Sequence, residues 1–133
     1  MKRTSRPPRA RGDTGMTTSQ VAILFPAVLF WIMLIVQYGL WWHAKQVVNA
    51  AAIEAVDAAQ VPAGSEAQGD RAARSFLSQT GNLSQVTVTV ERTPAFVTAE
   101  VTGNAPQLVP GFAWSVTARS QGPVERFIPE PDR

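Results

Sequence analysis

The 133-residue chain has no cysteine, a single histidine and a single tyrosine, and between Val21 and Trp42 it has no charged residue at all. Each absence removes a class of function. Without cysteine there is no disulfide to staple an exported domain and no thiolate for nucleophilic or metal chemistry. With His43 as the only imidazole, a histidine metal site lacks its parts, and no glycine-rich phosphate loop is present to hold a nucleotide. His43 follows Trp42 at the end of the apolar run, where it reads as an interfacial residue rather than a general base. Glu54 and Asp57 stand on one helix face at a spacing that can pair carboxylates, but such spacing more often marks a solvated face. The expectation is a protein that is not an enzyme, with no catalytic residue, no cofactor and no metal site.

The uncharged run, VAILFPAVLFWIMLIVQYGLWW, is what the chain has in place of an active site. Its residues, at ~1.5 Å of helical rise each, cover ~33 Å, enough for the ~30 Å hydrocarbon core of a bilayer. A helix apolar on every face is otherwise a buried core helix, and the remaining chain is too small to wrap it. A cleaved secretory signal is the other alternative, with the Ala-rich NAAAIEAVDAAQ offering a small-residue cut site. Such signals, however, have apolar regions of only about 7 to 15 residues, and this run ends in Tyr38, Trp41 and Trp42, rings suited to the outer boundary of a permanent anchor. Gln37, inside the run, reads either as a helix-to-helix hydrogen bond or as a residue near the outer headgroups.

Five bases, Lys2, Arg3, Arg6, Arg9 and Arg11, precede the run against one acid, Asp13, a net of +4; from His43 onward seven bases face nine acids, a net of −2. Basic flanks stay cytoplasmic, so the N-terminus is expected inside and the rest outside. Pro7, Pro8 and Gly12 interrupt the basic arm and no aromatic ring lies among its charges. Contact with membrane lipid therefore fits it better than nucleic acid, and no nucleic-acid partner is expected.

Beyond Trp42 the helix is expected to continue. On a 100° wheel Ala44, Val47, Val48, Ala51, Ala52, Ala55, Ala58 and Ala59 share one side, and Gln46, Asn49, Glu54, Asp57 and Gln60 the other, with Ala50 and Ile53 misplaced. So small a face lets a backbone or sheet come close, either of its own domain or of another subunit. Val61 to Gly64 break the helix and Ser65 caps a second, SEAQGDRAARSFLSQ, with Ala73, Phe76 and Leu77 as its apolar line and Gly81 and Asn82 as its stop. Period-two alternation then marks strands over Gln85–Thr93 and Ala95–Thr102, with Val86, Val88, Val90 and Ala95, Val97, Ala99, Val101 as their apolar faces. After the link APQLVPG a third strand is expected over Phe112–Arg119, with Phe112, Trp114, Val116 and Ala118 on one face. The closing QGPVERFIPEPDR, with three prolines, is expected to be extended or frayed. The fold class is α+β: an N-terminal transmembrane helix continuing as an amphipathic helix, a short second helix and a small antiparallel sheet of about three strands.

A basic arm, a glycine, an apolar helix with an early proline, an Ala-rich exit and a small sheet together resemble pilins and pseudopilins of type IV-like systems. The closer resemblance is to the TadE-like family of tight-adherence (Flp-type) pilus assembly. Gly15 matches the family's glycine, Met16 to Ser19 its spacer, Gln20 its glutamate position, Val21 to Leu24 its apolar run and Pro26 its proline. The likeness covers Gly12 to about Gln60, and more loosely the strands and the closing GPVERF. It implies a pilin-like fold and a processing site for a prepilin peptidase between Gly15 and Met16. It also makes Gln20 a candidate assembly position, where family members carry a glutamate that meets the freed ammonium of a neighbouring subunit. This chain has Thr14 in place of the usual arginine and Gln20 in place of that glutamate. Glutamine accepts a hydrogen bond from an ammonium but brings no charge. The departures favour an assembly or minor component over a major pilus subunit.

The expected organisation is a basic cytoplasmic leader (1–20), a transmembrane helix (21–42), a helix extension outside the membrane (43–61), an extracytoplasmic α+β domain (62–124) and an extended tail (125–133). The expected function is a single-pass, TadE-like component of pilus or secretion-apparatus assembly in the bacterial cytoplasmic membrane. It would act by helix and subunit packing through a face of Val48, Ala51, Ala52, Ala55 and Ala59, with pilus-assembly subunits or other TadE-like proteins as partners. The alternative is a membrane-anchored extracytoplasmic binding or sensor module unrelated to pili. Orientation is directly testable. A reporter active only outside the cytoplasm should work when fused after Arg133 and fail when fused after Arg11. Neutralising Arg3, Arg6, Arg9 and Arg11 together should give mixed topology, and the reverse reporter pattern would refute the charge argument.

Overall fold

The computed structural model describes residues 14–80, 82–109, 111 and 113–126, with side chains described from residue 20 onward. The basic residues of the N-terminal arm, the stop residue Gly81, Phe112 of the expected third strand and the end of the chain from Phe127 lie outside the described residues. Five elements follow in order: α1 (Thr14–Gln60), α2 (Glu66–Thr80), β1 (Ser84–Arg92), β2 (Phe96–Asn104) and β3 (Ser115–Pro123). By its contacts the chain divides into two units, Met1–Ile35 and Val36–Arg133.

The described part of the first unit is helix alone. Val21, Ile23, Leu24, Phe25, Phe30, Trp31, Ile32 and Ile35 are all exposed. Pro26 lies within α1. It lacks an N–H and so leaves one carbonyl of the preceding turn without its usual donor. Near the N-terminus, α1 is long and apolar enough to cross a membrane.

The second unit is a helix-on-sheet sandwich of small depth. β1, β2 and β3 form an antiparallel meander in that order. Alternation places Val97, Ala99 and Val101 of the central strand on the inner face, fully buried. Their cross-strand neighbours are Arg92, Val90 and Val88 on one side, and Gly122, Ser120 and Ala118 on the other. Against this face α1 presents Ala44, Val47, Val48, Ala51, Ala52, Ala55, Val56 and Ala59, all buried in one core with the strand residues. Ala58 is only half-buried and Val56 takes a place that the wheel did not give it. Ile53 remains exposed on the outer side.

α2 is fixed at its start by a reciprocal cap. The Gln68 N–H donates to Ser65 Oγ at 3.3 Å, and the Ser65 N–H donates to Gln68 Oε1 at 3.0 Å. This satisfies donors that the first helical turn leaves free. Ala73 and Leu77 are buried and Phe76 packs beside them. Gly69 is buried as well, at the closest approach of α2 to α1. A Cβ there would lie 2.7 Å from the Ala55 carbonyl oxygen and 3.1 Å from both Ala59 Cβ and Val90 Cγ1.

Two strand details differ from the sequence pattern. β3 starts at Ser115 rather than Phe112 and runs to Pro123, because it pairs with β2 residue for residue from Asn104↔Ser115 to Phe96↔Pro123. The partner's length, not the alternation near Trp114, decides its ends. Accordingly the start of the closing segment is not frayed: Val124 N–H donates to Ala95 O and Glu125 N–H to Gln60 O, both at 2.9 Å. In β1 the register shifts between Ser84 and Thr87. There Gln85 adopts φ 52°, a left-handed conformation that suits a bulge.

The Gly69 contact gives a direct stability test. Gly69→Ala should lower the stability of the detergent-solubilised chain by ~1 to 3 kcal/mol through overpacking against backbone. Gly39→Ala, where an added Cβ meets nothing within 4 Å, should be neutral or mildly stabilising, as alanine is the better helix former. Thermal unfolding followed by near-ultraviolet circular dichroism compares the two. Equal effects would refute the close approach.

Candidate functional site

Three places on the molecule bring polar or conspicuous groups together. The first is where α1 enters the second unit. Gln37, expected as a polar residue inside an apolar run, is 3% exposed, and its amide is not used on a second helix. Its amide is spent on the β2–β3 connection of its own chain: Leu108 N–H donates to Oε1 at 2.9 Å and Nε2 donates to Pro106 O at 3.3 Å. A primary amide carries a donor and an acceptor on one rigid plane, so it can satisfy a backbone N–H and a backbone C=O together. Rings surround this clamp. Trp41 meets Trp114 edge-on at 6.3 Å between centroids and Tyr38 at 5.8 Å, and Lys45 Nζ lies 5.5 Å over the Trp41 ring. The base of the connection is closed by Ala105 N–H donating to Trp114 O at 3.0 Å.

The second is the small-residue face. Val48, Ala51, Ala52, Ala55 and Ala59 have no exposed surface. The sheet and α2 of the same chain cover them: besides the approach of Gly69 to Ala55 and Ala59, a Cβ on Gly122 would lie 2.8 Å from Val56 Cγ1. Of the two coverings left open by the sequence, the chain's own domain is the one present.

The third is the opposite end of the second unit, where α1 stops. Arg92 Nη1 donates to Gly64 O, its Nη2 donates to Val61 O at 3.2 Å, and its backbone N–H donates to Glu66 Oε1 at 2.8 Å. The guanidinium thereby caps carbonyls just past the helix end, where positive charge is favoured. Arg92 Nε is buried without a partner. An open groove of ≈ 670 Å³ adjoins it, lined by Gly64, Ser65, Glu66, Ala67, Arg92, Thr93, Pro94 and Val124.

The remaining residues singled out from the sequence do not converge. Gly15 and Met16 lie in the first turn of α1, and Gln20 is exposed on the same helix. His43, Glu54 and Asp57 are exposed, and Asp57 Oδ1 accepts from Gln60 Nε2 at 3.2 Å instead of meeting a second carboxylate. Among the described residues no three His, Asp or Glu side chains stand close enough to hold a metal ion. Sequence reasoning missed Gly69, Arg92 and the Gln37 clamp. Only the last left a trace, a polar residue in an apolar run together with an uncharged link elsewhere.

Removing the clamp tests it. Gln37→Leu should leave Leu108 N–H and Pro106 O without partners, costing ~1 to 3 kcal/mol for each group that stays buried. Faster hydrogen exchange at the Leu108 amide, with the β2 amides little changed, is the expected signature; unchanged exchange at Leu108 would mean that the clamp does not form.

No curated protein and no solved structure matches the chain. The family model described as TadE-like protein does match, over residues 15–57, from the glycine in the first turn of α1 almost to the end of that helix, so that this segment is similar to that family.

Proposed function

We propose that the chain is a single-pass, pseudopilin-like component of a tight-adherence (Flp-type) pilus or a related secretion apparatus. It is anchored in the bacterial cytoplasmic membrane with its N-terminus inside and its α+β unit outside, and it acts without catalysis. The observation that carries this reading is the TadE-like match that begins at Gly15, the glycine preceding the apolar helix. The basic arm before the span supports the orientation, since flanking lysines and arginines stay on the cytoplasmic side.

The packing of the outer unit narrows how such a component would assemble. The alanine face of α1 is occupied by its own sheet and α2, so it is not free for a neighbouring subunit. What is left for other subunits is the exposed apolar stretch from Val21 to Ile35, with Gln20 at its head. Helices in lipid associate by close packing and by interhelical hydrogen bonds, not by a hydrophobic drive. A prepilin peptidase would cut after Gly15 and leave the Met16 ammonium near Gln20, which can accept from it. Partners would be other TadE-like chains or pilus-assembly subunits.

The membrane-anchored binding or sensor module remains a second reading, favoured by the groove beside Arg92.

Terminal mass spectrometry decides the processing step. In cells with an active prepilin peptidase the membrane-extracted protein should begin at Met16, and Gly15→Leu should leave the full-length form, because a side chain would obstruct a site that accepts glycine. An intact N-terminus at Met1 or Lys2 would refute processing. Where processing occurs, Gln20→Glu should strengthen recovery of the chain with its partners by supplying the ammonium with a charged acceptor.

A further inference from the structure

The β2–β3 connection, Ala105–Trp114, reads APQLVPGFAW and contains no charged residue. That is unusual for a surface connection, and this one is at the surface: Leu108 is 48% exposed and Trp114 37%. Connections ordinarily face water and carry polar side chains, and a contiguous exposed apolar patch marks a contact surface.

What the patch contacts is indicated by where it is held. Gln37 grips Pro106 O and Leu108 N–H, which fixes the connection beside α1 at the level of residue 37. Tyr38 and Trp42, both exposed, and Trp41, which touches Trp114, stand on the next turn. From Gln37 to Trp42 the helix rises ~7.5 Å, close to the ~5 to 7 Å depth of one headgroup layer outside the hydrocarbon. The rings and Leu108 therefore fall within a single interfacial layer, the depth that Trp and Tyr prefer. Lys45, one turn further on, folds its ammonium over the Trp41 ring.

The backbone of the connection suits that layer. Bare N–H and C=O groups are costly where water is scarce. Pro106 and Pro110 have no N–H, the Leu108 N–H and Pro106 O are taken by Gln37, and the Ala105 N–H and Trp114 O bond each other. Two missing N–H groups and four paired backbone groups lower the cost of seating the connection in that layer.

We propose that the β2–β3 connection is a second membrane contact. Leu108, Trp114 and the exposed Tyr38 and Trp42 would form an apolar and aromatic platform that seats the sheet unit in the outer lipid interface around the exit of α1. The partner is the lipid surface itself, not a second copy of the chain. This inference rests on the reading that the apolar part of α1 spans the bilayer.

The absence of cysteine makes the test direct. Single variants Leu108→Cys, Ile32→Cys and Ala63→Cys of the full chain are labelled with an environment-sensitive fluorophore. They are reconstituted in phosphatidylethanolamine and phosphatidylglycerol vesicles containing lipids with a quencher either near the headgroup or near the chain end. The label at Leu108 should show blue-shifted emission and lose it to the headgroup-proximal quencher. The label at Ile32 should lose emission to the chain-end quencher, and the label at Ala63, in the α1–α2 turn, to neither. An unquenched Leu108 label alongside a quenched Ile32 label overturns the platform while leaving the span intact. Lipid-independent disulfide cross-linking of unlabelled Leu108→Cys between chains would assign the patch to a second copy and also overturns it. Loss of quenching at Ile32 as well would overturn the span and the platform with it.

Discussion

Alanine at positions 51, 55 and 59 of α1 leaves the helix surface so low that another backbone can lie almost on it, and the outer unit is arranged around that short distance. α2 meets it with Gly69, where a Cβ would collide with the Ala55 carbonyl, and β3 brings Gly122 against the neighbouring Val56 and Gln60 side chains. The central strand offers Val97, Ala99, Val101 and Gly103, small or narrow side chains that keep the sheet close. Close packing of this kind gains dispersion contacts across many atom pairs, each worth only ~0.1 to 0.2 kcal/mol. It also leaves little tolerance, because backbone on either side cannot repack as a side chain can. With no disulfide and fewer than a hundred residues in the unit, that contact has to supply the stability that larger cores obtain from bulk.

Much of this was legible in the sequence, where the signals are periodic. The 100° spacing of Ala44 to Ala59 marked the buried side of α1, the alternation in β1 and β2 marked the inner face of the sheet, and Ser65 marked the start of α2. What was not legible depends on partners remote in the chain. Gly69 carries no signal of its role, since nothing local says that Ala55 lies above it. Val56 sits at the edge of the wheel's apolar arc and is buried only because β3 crosses there at Gly122. The ends of β3 are set by its pairing with β2, so alternation around Trp114 misled. Arg92 reads as one more strand-end base until its reach to Val61 and Gly64 is seen. For the candidate site the balance is different. Gly15, Met16 and Gln20 were marked by resemblance alone, and the structure adds only that they share one helix, with Gln20 exposed on it.

Occupation of the alanine face by the chain's own sheet changes what the long helix is for. A small-residue stripe on a membrane-proximal helix invites the reading of a subunit interface, and here that stripe is spent on holding the outer unit to the helix that carries it. Under the proposed function, assembly contacts would fall on the apolar stretch before Val36, whose large side chains are exposed. Lipid-facing leucine, isoleucine and phenylalanine supply no net hydrophobic drive to associate, so specificity in that stretch would come from shape and from its few polar atoms. Gln20 is the polar side chain at its head.

The two glutamines of the apolar region therefore stand in opposite situations, although the sequence presents them alike. Gln37 is buried and both of its amide groups are engaged, which removes the cost of placing it at the edge of hydrocarbon. Gln20 is exposed. Between them Val21 to Val36 provides ~24 Å of uninterrupted apolar helix, shorter than a ~30 Å core, so a bilayer around it must reach past one glutamine or the other. With Tyr38, Trp41 and Trp42 seated in the outer interface as proposed, the end that enters the hydrocarbon is the one at Gln20. An amide such as that of Gln20, exposed at the other end, resists burial in hydrocarbon unless a hydrogen-bond partner accompanies it. The rule that the chain meets at Gln37 with its own backbone would then ask a partner for Gln20 as well.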